Sequence, residues 1–217
     1  MLYDLTAVKA NIRNRDGKRV FFLGKGDQLT VEARDHLLQQ RIPILPARMA
    51  AIREYEIAGG GTVDHKPENM THLHGNVLVP KTHPRIAFRG AMDTLEAALL
   101  FCGPEVGQIL ELARHLIRCD VMDEPVGQFS LYGLDADQLR KHSHFPQEYY
   151  GQPHFMPDFG DSPALLRLNW ARCCARNAEL AAVAAFPERT DLVQALNRIS
   201  SMLYILMIQE KRKAVQP

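Results

Sequence analysis

Arginines and carboxylates at helical spacing are the residues of this chain best suited to chemistry. In the segment PRIAFRGAMDTLE, Arg85, Arg89, Asp93 and Glu96 follow intervals of four, four and three, which places them along one face of a helix. Arg89 and Asp93 are then neighbours able to pair. The segment RLNWARCCARNAEL puts Arg172, Arg176 and Glu179 on a common face by the same spacing. Further along, Asn197, Ser201 and Tyr204 form a stripe beside Arg198. Taken singly, each face reads better as a solvated helix surface. Should they converge, the guanidinium groups could grip a triphosphate bidentately while the carboxylates fix their geometry.

Other constellations are weaker. The Gly-Lys-Gly-Asp loop after RVFFL lacks both the spacing of a phosphate-binding P-loop and that of a dinucleotide fingerprint, so it reads as a Gly-rich turn. His65, His72, His74 and His83 crowd one polar stretch. Imidazoles bind zinc or iron, but this spacing fits no metal motif, and a structural or solvent-exposed role is the stronger reading. The cysteines Cys102, Cys119, Cys173 and Cys174 include no C-x-x-C pair and read as reduced, small apolar residues.

The elements that must position these side chains change character along the chain. Leu5–Arg13 has weak helical character, Arg19–Leu23 suits a strand, and Thr30 can cap a helix over Val31–Gln40. Ile42–Leu45 suits a second strand, and a helix over Arg48–Ala58 would end at Gly59-Gly60-Gly61. The stretch from Thr62 to Pro84 reads as a long polar loop. Long helices follow: Arg85–Cys102, one from Pro104 to about Val121, one opened by Ser162-Pro163, and one from Thr190 to about Lys213. Between them, Asp123–Gly160 is rich in Pro, Gly and aromatic residues, with a short helix at Ala136–His142. The expected division is 1–61, an α/β extension; 62–84, a His-rich loop; and 85–217, a helical bundle.

Composition sets the outer limits. A chain of 217 residues suits one domain with an accessory piece, and 46% apolar with 24% charged residues excludes a mainly disordered protein. A net charge of +1 argues against a general binder of nucleic acid or anionic membrane. The longest strongly apolar run, Met202–Ile208, is far below the ~20 residues that span a bilayer. The segment MLYDLTAVKANIRNR has no apolar signal core, so a soluble, cytoplasmic protein is expected.

The segment KPENMTHLHGNVLVPKTHPRIAFRGAMDTLEA resembles the ethanolamine-utilisation type (EutT) of ATP:cob(I)alamin adenosyltransferase, within the PduO-like superfamily. That superfamily carries K-x-x-P-R, then an Asp, an A-R-x-x-x-R-x-A-E helix and a final N-R-[LI]-S helix. The matching positions are Lys81, Pro84, Arg85 and Asp93; Ala171, Arg172, Arg176, Ala178 and Glu179; and Asn197, Arg198, Ile199 and Ser200. RVFFLGKGDQLTVEARDHLLQQRIPI also resembles the N-terminal part of that type.

The resemblance implies a mainly α protein, a five-helix bundle that binds ATP with Mg²⁺ at a subunit interface of a homo-oligomer, dimer or trimer. It implies that Lys81, Arg176, Glu179 and Asn197 contact ATP, supported by Arg172 and Arg198, and that Asp93 pairs with an arginine, Arg176. The implied reaction transfers the 5′-deoxyadenosyl group of ATP to cob(I)alamin. The implied partners are ethanolamine ammonia-lyase or its reactivase, in the cytoplasm or a bacterial microcompartment. Phe88, Tyr149, Tyr150 and Phe155 are candidates for an apolar wall over the corrin ring. Against the family pattern, Ser201 stands in place of an Asp, Asn177 and Leu180 where arginine is usual, and Gly26-Asp27 is a remnant of the N-terminal ATP loop. Many relatives carry a Cys-rich metal cluster, but no Cys lies between His65 and His83, so no structural iron or zinc is expected. The competing readings are a non-catalytic corrinoid carrier or microcompartment docking protein and, behind it, a hydrolase using the four histidines.

Overall fold

In the computed structural model, which describes residues 1–15, 17–47 and 55–213, the chain folds as two units, Met1–His83 and Pro84–Pro217. The first is α/β. In chain order it starts with β1 (Leu2–Tyr3), α1 (Leu5–Asn11), β2 (Arg13–Arg15), β3 (Lys18–Leu23), β4 (Gln28–Leu29), α2 (Val31–Gln39) and β5 (Ile44–Pro46). The Asp4 and Thr30 side chains accept from Ala7 N–H and Ala33 N–H and so open the two helices, satisfying donors a helix start leaves over. β3 pairs antiparallel with β2 and parallel with β5. Val8, Phe21, Ala33, Leu37 and Ile42 form the core between these strands and helices.

Strands also occupy the stretch expected to be a polar loop: β6 (Tyr55–Ile57), β7 (Thr62–Val63), β8 (Met70–His74) and β9 (Val77–Pro80), in the order β7-β6-β9-β8. Tyr55–Ile57 is therefore extended rather than helical, and the rest of that expected helix, 48–54, lies outside the described residues. Burial explains the difference. Val77, Leu78 and Val79 are buried, and the hydrogen bonds they need come from β8 on one side and β6 on the other. Asn76 locks this sheet to the first: its side chain accepts from Asn14 N–H and donates to Asn14 O, both at 2.6 Å. Gly75 beside it has φ +52°, and a Cβ there would lie 2.4 Å from the Ile12 oxygen, so only glycine permits the approach.

The second unit is a bundle of five helices plus a short one: α3 (Pro84–Cys102), α4 (Gly107–Met122), α5 (Ala136–His144), α6 (Pro146–Tyr150), α7 (Pro163–Ala185) and α8 (Thr190–Lys213). A small hairpin, β10 (Ser130–Leu131) with β11 (Leu134–Asp135), precedes α5. Ser162 accepts from Leu165 N–H with Pro163 in the first turn, and Asp135 with Gln138 forms a reciprocal capping box on α5. α7 lies at the centre, packing on α3 along one side and α8 along the other. Its contact positions are small: Ala171, Cys174, Ala175, Ala178 and Ala182 are buried. Small residues let the neighbouring backbones approach, and larger ones from α3 and α8, such as Leu95, Leu99, Leu196 and Leu203, fill the core.

Two electrostatic clusters hold one end of the bundle. The fully buried Asp120 carboxylate on α4 accepts from Arg85 Nε at 2.9 Å and Arg89 Nε at 2.8 Å, both from α3. Arg89 thus pairs with Asp120, not with Asp93 one turn away. A buried acceptor reached by two guanidinium groups outcompetes an exposed pair worth only about 0.3–0.5 kcal/mol. Asp191 accepts from Arg189 and from Val126 N–H, and these donors hold its carboxyl well below the usual range, at about 2. Phe88, a candidate corrin-wall residue, is instead core: it is fully buried and meets Phe186 edge-on at 5.1 Å.

Candidate functional site

A cavity of about 310 Å³ opens between α5, α7, α8 and the segment that joins α6 to α7. Its walls are Arg172 and Arg176 from α7; Asn197, Ser200, Ser201 and Tyr204 from α8; Ser143 and His144 from α5; and His154 from the joining segment. Two of the helix faces legible in the sequence therefore meet here. The third, on α3, does not line this cavity.

Each polar side chain is held in a definite way. Asn197 sits between opposite charges, donating through Nδ2 to Glu179 Oε1 at 3.0 Å and accepting through Oδ1 from Arg198 Nη1 at 2.6 Å. That pairing fixes the orientation of the amide. Arg198 is buried and also donates to the Ala136 main-chain oxygen at 2.6 Å; burial pushes its pKa down from the ordinary arginine value. It acts on the cavity through Asn197. Arg172 folds back on its own helix to donate to Asn169 Oδ1 at 2.9 Å. Arg176 is exposed, and among the described residues nothing accepts from its guanidinium. Among the described residues no carboxylate lines the cavity, so its two arginines give the wall positive charge.

Aromatic residues close one side. Tyr204 stacks on His154 and lies near Phe155, while the Phe155 N–H donates to the Tyr204 hydroxyl at 3.3 Å. Lys211, ion-paired to Asp161, lies over the Phe155 ring and ties the segment to α8. Tyr149 stacks on His142, and Tyr150 donates to or accepts from the same ring at 2.8 Å, so both serve to anchor α6 on α5.

The remaining candidates lie elsewhere. Lys81 belongs to the other unit, where it is exposed and its main-chain N–H donates to Asn69. Asp93 is exposed on α3, and among the described residues no ion pair joins it to Arg176. His72 packs against Tyr55 on the sheet and His65 bonds to Asp64; among the described residues no His, Cys, Asp and Glu cluster could hold a metal. All four cysteines are free, and burial pushes the Cys102 thiol up to about 11, which makes it inert. Sequence spacing does not single out Ser143, His144 or His154, and it names Ser200 only as a motif position. The last continues the α8 stripe, but His154 lies in irregular chain where spacing carries no signal.

The sequence profile of the cobalamin adenosyltransferase family matches residues 62–210, a span that includes every wall residue of the cavity. The chain belongs to that family. It is 32% identical over 157 residues to the corrinoid adenosyltransferase EutT of Salmonella typhimurium, covering 66% of this chain and 59% of that protein. To EutT of Escherichia coli K12 it is 31% identical over 160 residues, covering 67% and 60%. The chain thus spans about three fifths of the length of these curated relatives. Among solved structures it is similar to a variant PduO-type ATP:corrinoid adenosyltransferase from Lactobacillus reuteri complexed with cobalamin and ATP. The TM-score is 0.54 at 18% identity, covering 69% of this chain and 92% of that one. That likeness shows the fold, a PduO-like helical bundle, to which this member of the cobalamin adenosyltransferase family adds small sheets on its N-terminal side.

Proposed function

We propose that this protein transfers the 5′-deoxyadenosyl group of ATP to cob(I)alamin, giving adenosylcobalamin, a reaction in keeping with the corrinoid adenosyltransferase name of its EutT relatives. The observation that carries the reading is the acid-free cavity in which Arg172, Arg176 and Asn197 meet, on the helices that hold the family's arginine and asparagine motifs. At about 310 Å³ the cavity lies at the small end of the ~300–1,000 Å³ range of ligand sites, sized for part of a nucleotide and not for a corrin.

Reduced cobalt is itself a strong nucleophile, so the protein needs no nucleophilic side chain or general base. Its tasks are to aim C5′ of ATP and to stabilise the leaving polyphosphate, brought as its Mg²⁺ complex. Arg176 and Arg172 supply donors to phosphoryl oxygens. Asn197, fixed by Glu179 and Arg198, presents an amide of set orientation. Ser201 stands on this wall where the family pattern has an Asp, so that support of the site is missing here. The motif match alone supports contact of Lys81 with ATP and pairing of Asp93 with Arg176.

A homo-oligomer is part of this reading. Leu166, Trp170 and Leu180 lie along one stripe of α7 and are 39%, 59% and 69% exposed. Leu100 and Phe101 add to it at the end of α3, which packs on α7. These exposed apolar side chains, with exposed Asn177 among them, support an interaction surface here. Sedimentation across a range of protein concentrations is expected to show a dimer or trimer, converted toward monomer by Trp170→Glu. A monomeric wild-type protein would remove the oligomer from the proposal.

The decisive test is anaerobic adenosylation of chemically reduced cobalamin with ATP and Mg²⁺, with and without added iron or zinc. Formation of adenosylcobalamin without either metal is expected. No turnover together with no ATP binding by calorimetry would leave a corrinoid carrier or microcompartment docking protein as the better reading. The kinship to EutT supports the further reading that the adenosylcobalamin serves ethanolamine ammonia-lyase or its reactivase, in the cytoplasm or a microcompartment.

A further inference from the structure

His154 lies between α6 and α7, and both of its ring nitrogens are engaged. Nε2 is 3.1 Å from the main-chain oxygen of His144. A carbonyl only accepts, so Nε2 carries a proton. Nδ1 is 3.0 Å from the Tyr204 hydroxyl, and the two rings stack with centroids 5.7 Å apart. The Phe155 N–H donates to that same hydroxyl oxygen.

The two protonation states of the imidazole give Tyr204 two different roles. When the ring is neutral, Nδ1 is a bare acceptor and the Tyr204 O–H donates to it. The hydroxyl then has only an oxygen lone pair left for the cavity. When the ring is cationic, Nδ1–H donates to the oxygen and Phe155 N–H takes the second lone pair. The Tyr204 O–H is released to turn toward the cavity as a donor.

We propose that His154 is a positioning residue that couples proton uptake to polyphosphate binding, by switching the Tyr204 hydroxyl from acceptor to donor at the cavity wall. The inference rests on the reading of this cavity as a polyphosphate site. Phosphoryl oxygens only accept, so they bind the released O–H and are opposed by the lone pair. The charged and titratable groups around His154 include the Asp161 carboxylate, which is paired with Lys211. The others are His144 on α5, Arg172 and Arg176 on α7, and Tyr204 on α8, with Lys211 5.7 Å over the adjacent Phe155 ring. Solvent supplies the proton, and no bond other than this N–H forms.

Calorimetric titration of the full chain with inorganic tripolyphosphate, at about pH 8 and about pH 6, tests this on either side of the imidazole range. The ligand's own protonation is common to all proteins compared, so the reading is the difference between them. Wild-type affinity is expected to rise about fivefold more than that of His154→Asn or Tyr204→Phe over this interval. The wild type should also take up more protons per ligand, read from buffers of different ionisation enthalpy. Binding by the wild type with the same pH slope and proton count in both variants would overturn the role of His154 and leave the polyphosphate reading standing. A slope retained in Tyr204→Phe alone would overturn the hydroxyl switch. No binding of tripolyphosphate by the wild type, at either pH, would overturn the polyphosphate reading and this inference with it.

Discussion

Arg176→Ala is expected to lower kcat/KM for ATP by about 10²–10³-fold, the usual consequence of removing a donor aimed at charge that develops in the transition state. The thermal unfolding midpoint should stay within a degree or two of wild type, about the scatter of a neutral surface change. Both halves of the expectation come from placement. Arg176 is exposed at the cavity wall and donates to no described residue, so its removal leaves no buried partner unsatisfied. Its guanidinium is free to meet a phosphoryl group edge-on through two N–H donors, a geometry that lysine lacks. Arg176→Lys should therefore recover only part of the loss. Arg198 is the contrast: it is buried and bonded to Ala136 and Asn197, so its removal would register first in stability. Near-normal steady-state kinetics for Arg176→Ala, measured in the anaerobic assay, would remove Arg176 from the site.

The features legible in the sequence were those written in local spacing. The Ser162-Pro163 pair marks the start of α7 because a side-chain acceptor and a residue without an N–H both suit the first turn. Arg172 and Arg176, and Asn197, Ser201 and Tyr204, share faces because helical geometry repeats every three to four residues, and the structure brings those faces to one cavity. What spacing cannot encode is a partner far along the chain. Asp120 lies more than thirty residues from Arg85 and Arg89, and only the packing of α3 on α4 discloses it. β8 and β9 were hidden for another reason. Strands of five and four residues are too short for a firm periodic signal, and the histidines of MTHLH make that stretch polar enough to match a loop. His154 has no repeating neighbourhood at all. Its role comes from tertiary contacts with α5 and α8.

Asp120→Ala is expected to destabilise the protein by about 3–5 kcal/mol, the typical cost of removing one member of a buried ion cluster. The Asp120 side chain is fully buried and the two arginines are only 26% and 22% exposed. Losing the carboxylate leaves two guanidinium groups close together, poorly solvated and mutually repelling. Arg85 has further ties to this place, since it donates to the Asp120 main-chain oxygen and its guanidinium lies 5.2 Å from the Phe186 ring centroid. It cannot simply swing into water without giving those up. Denaturant unfolding of the bundle checks the size, and a loss below about 1 kcal/mol would show that the cluster is well solvated after all. The cause can be separated from the mere loss of contacts. Asp120→Leu combined with Arg85→Met and Arg89→Met removes all three charges at similar volume and should restore much of the stability, because the penalty arises from stranded charge. If that triple variant is no more stable than Asp120→Ala, the carboxylate's hydrogen bonds, and not the fate of the arginines, hold α3 to α4.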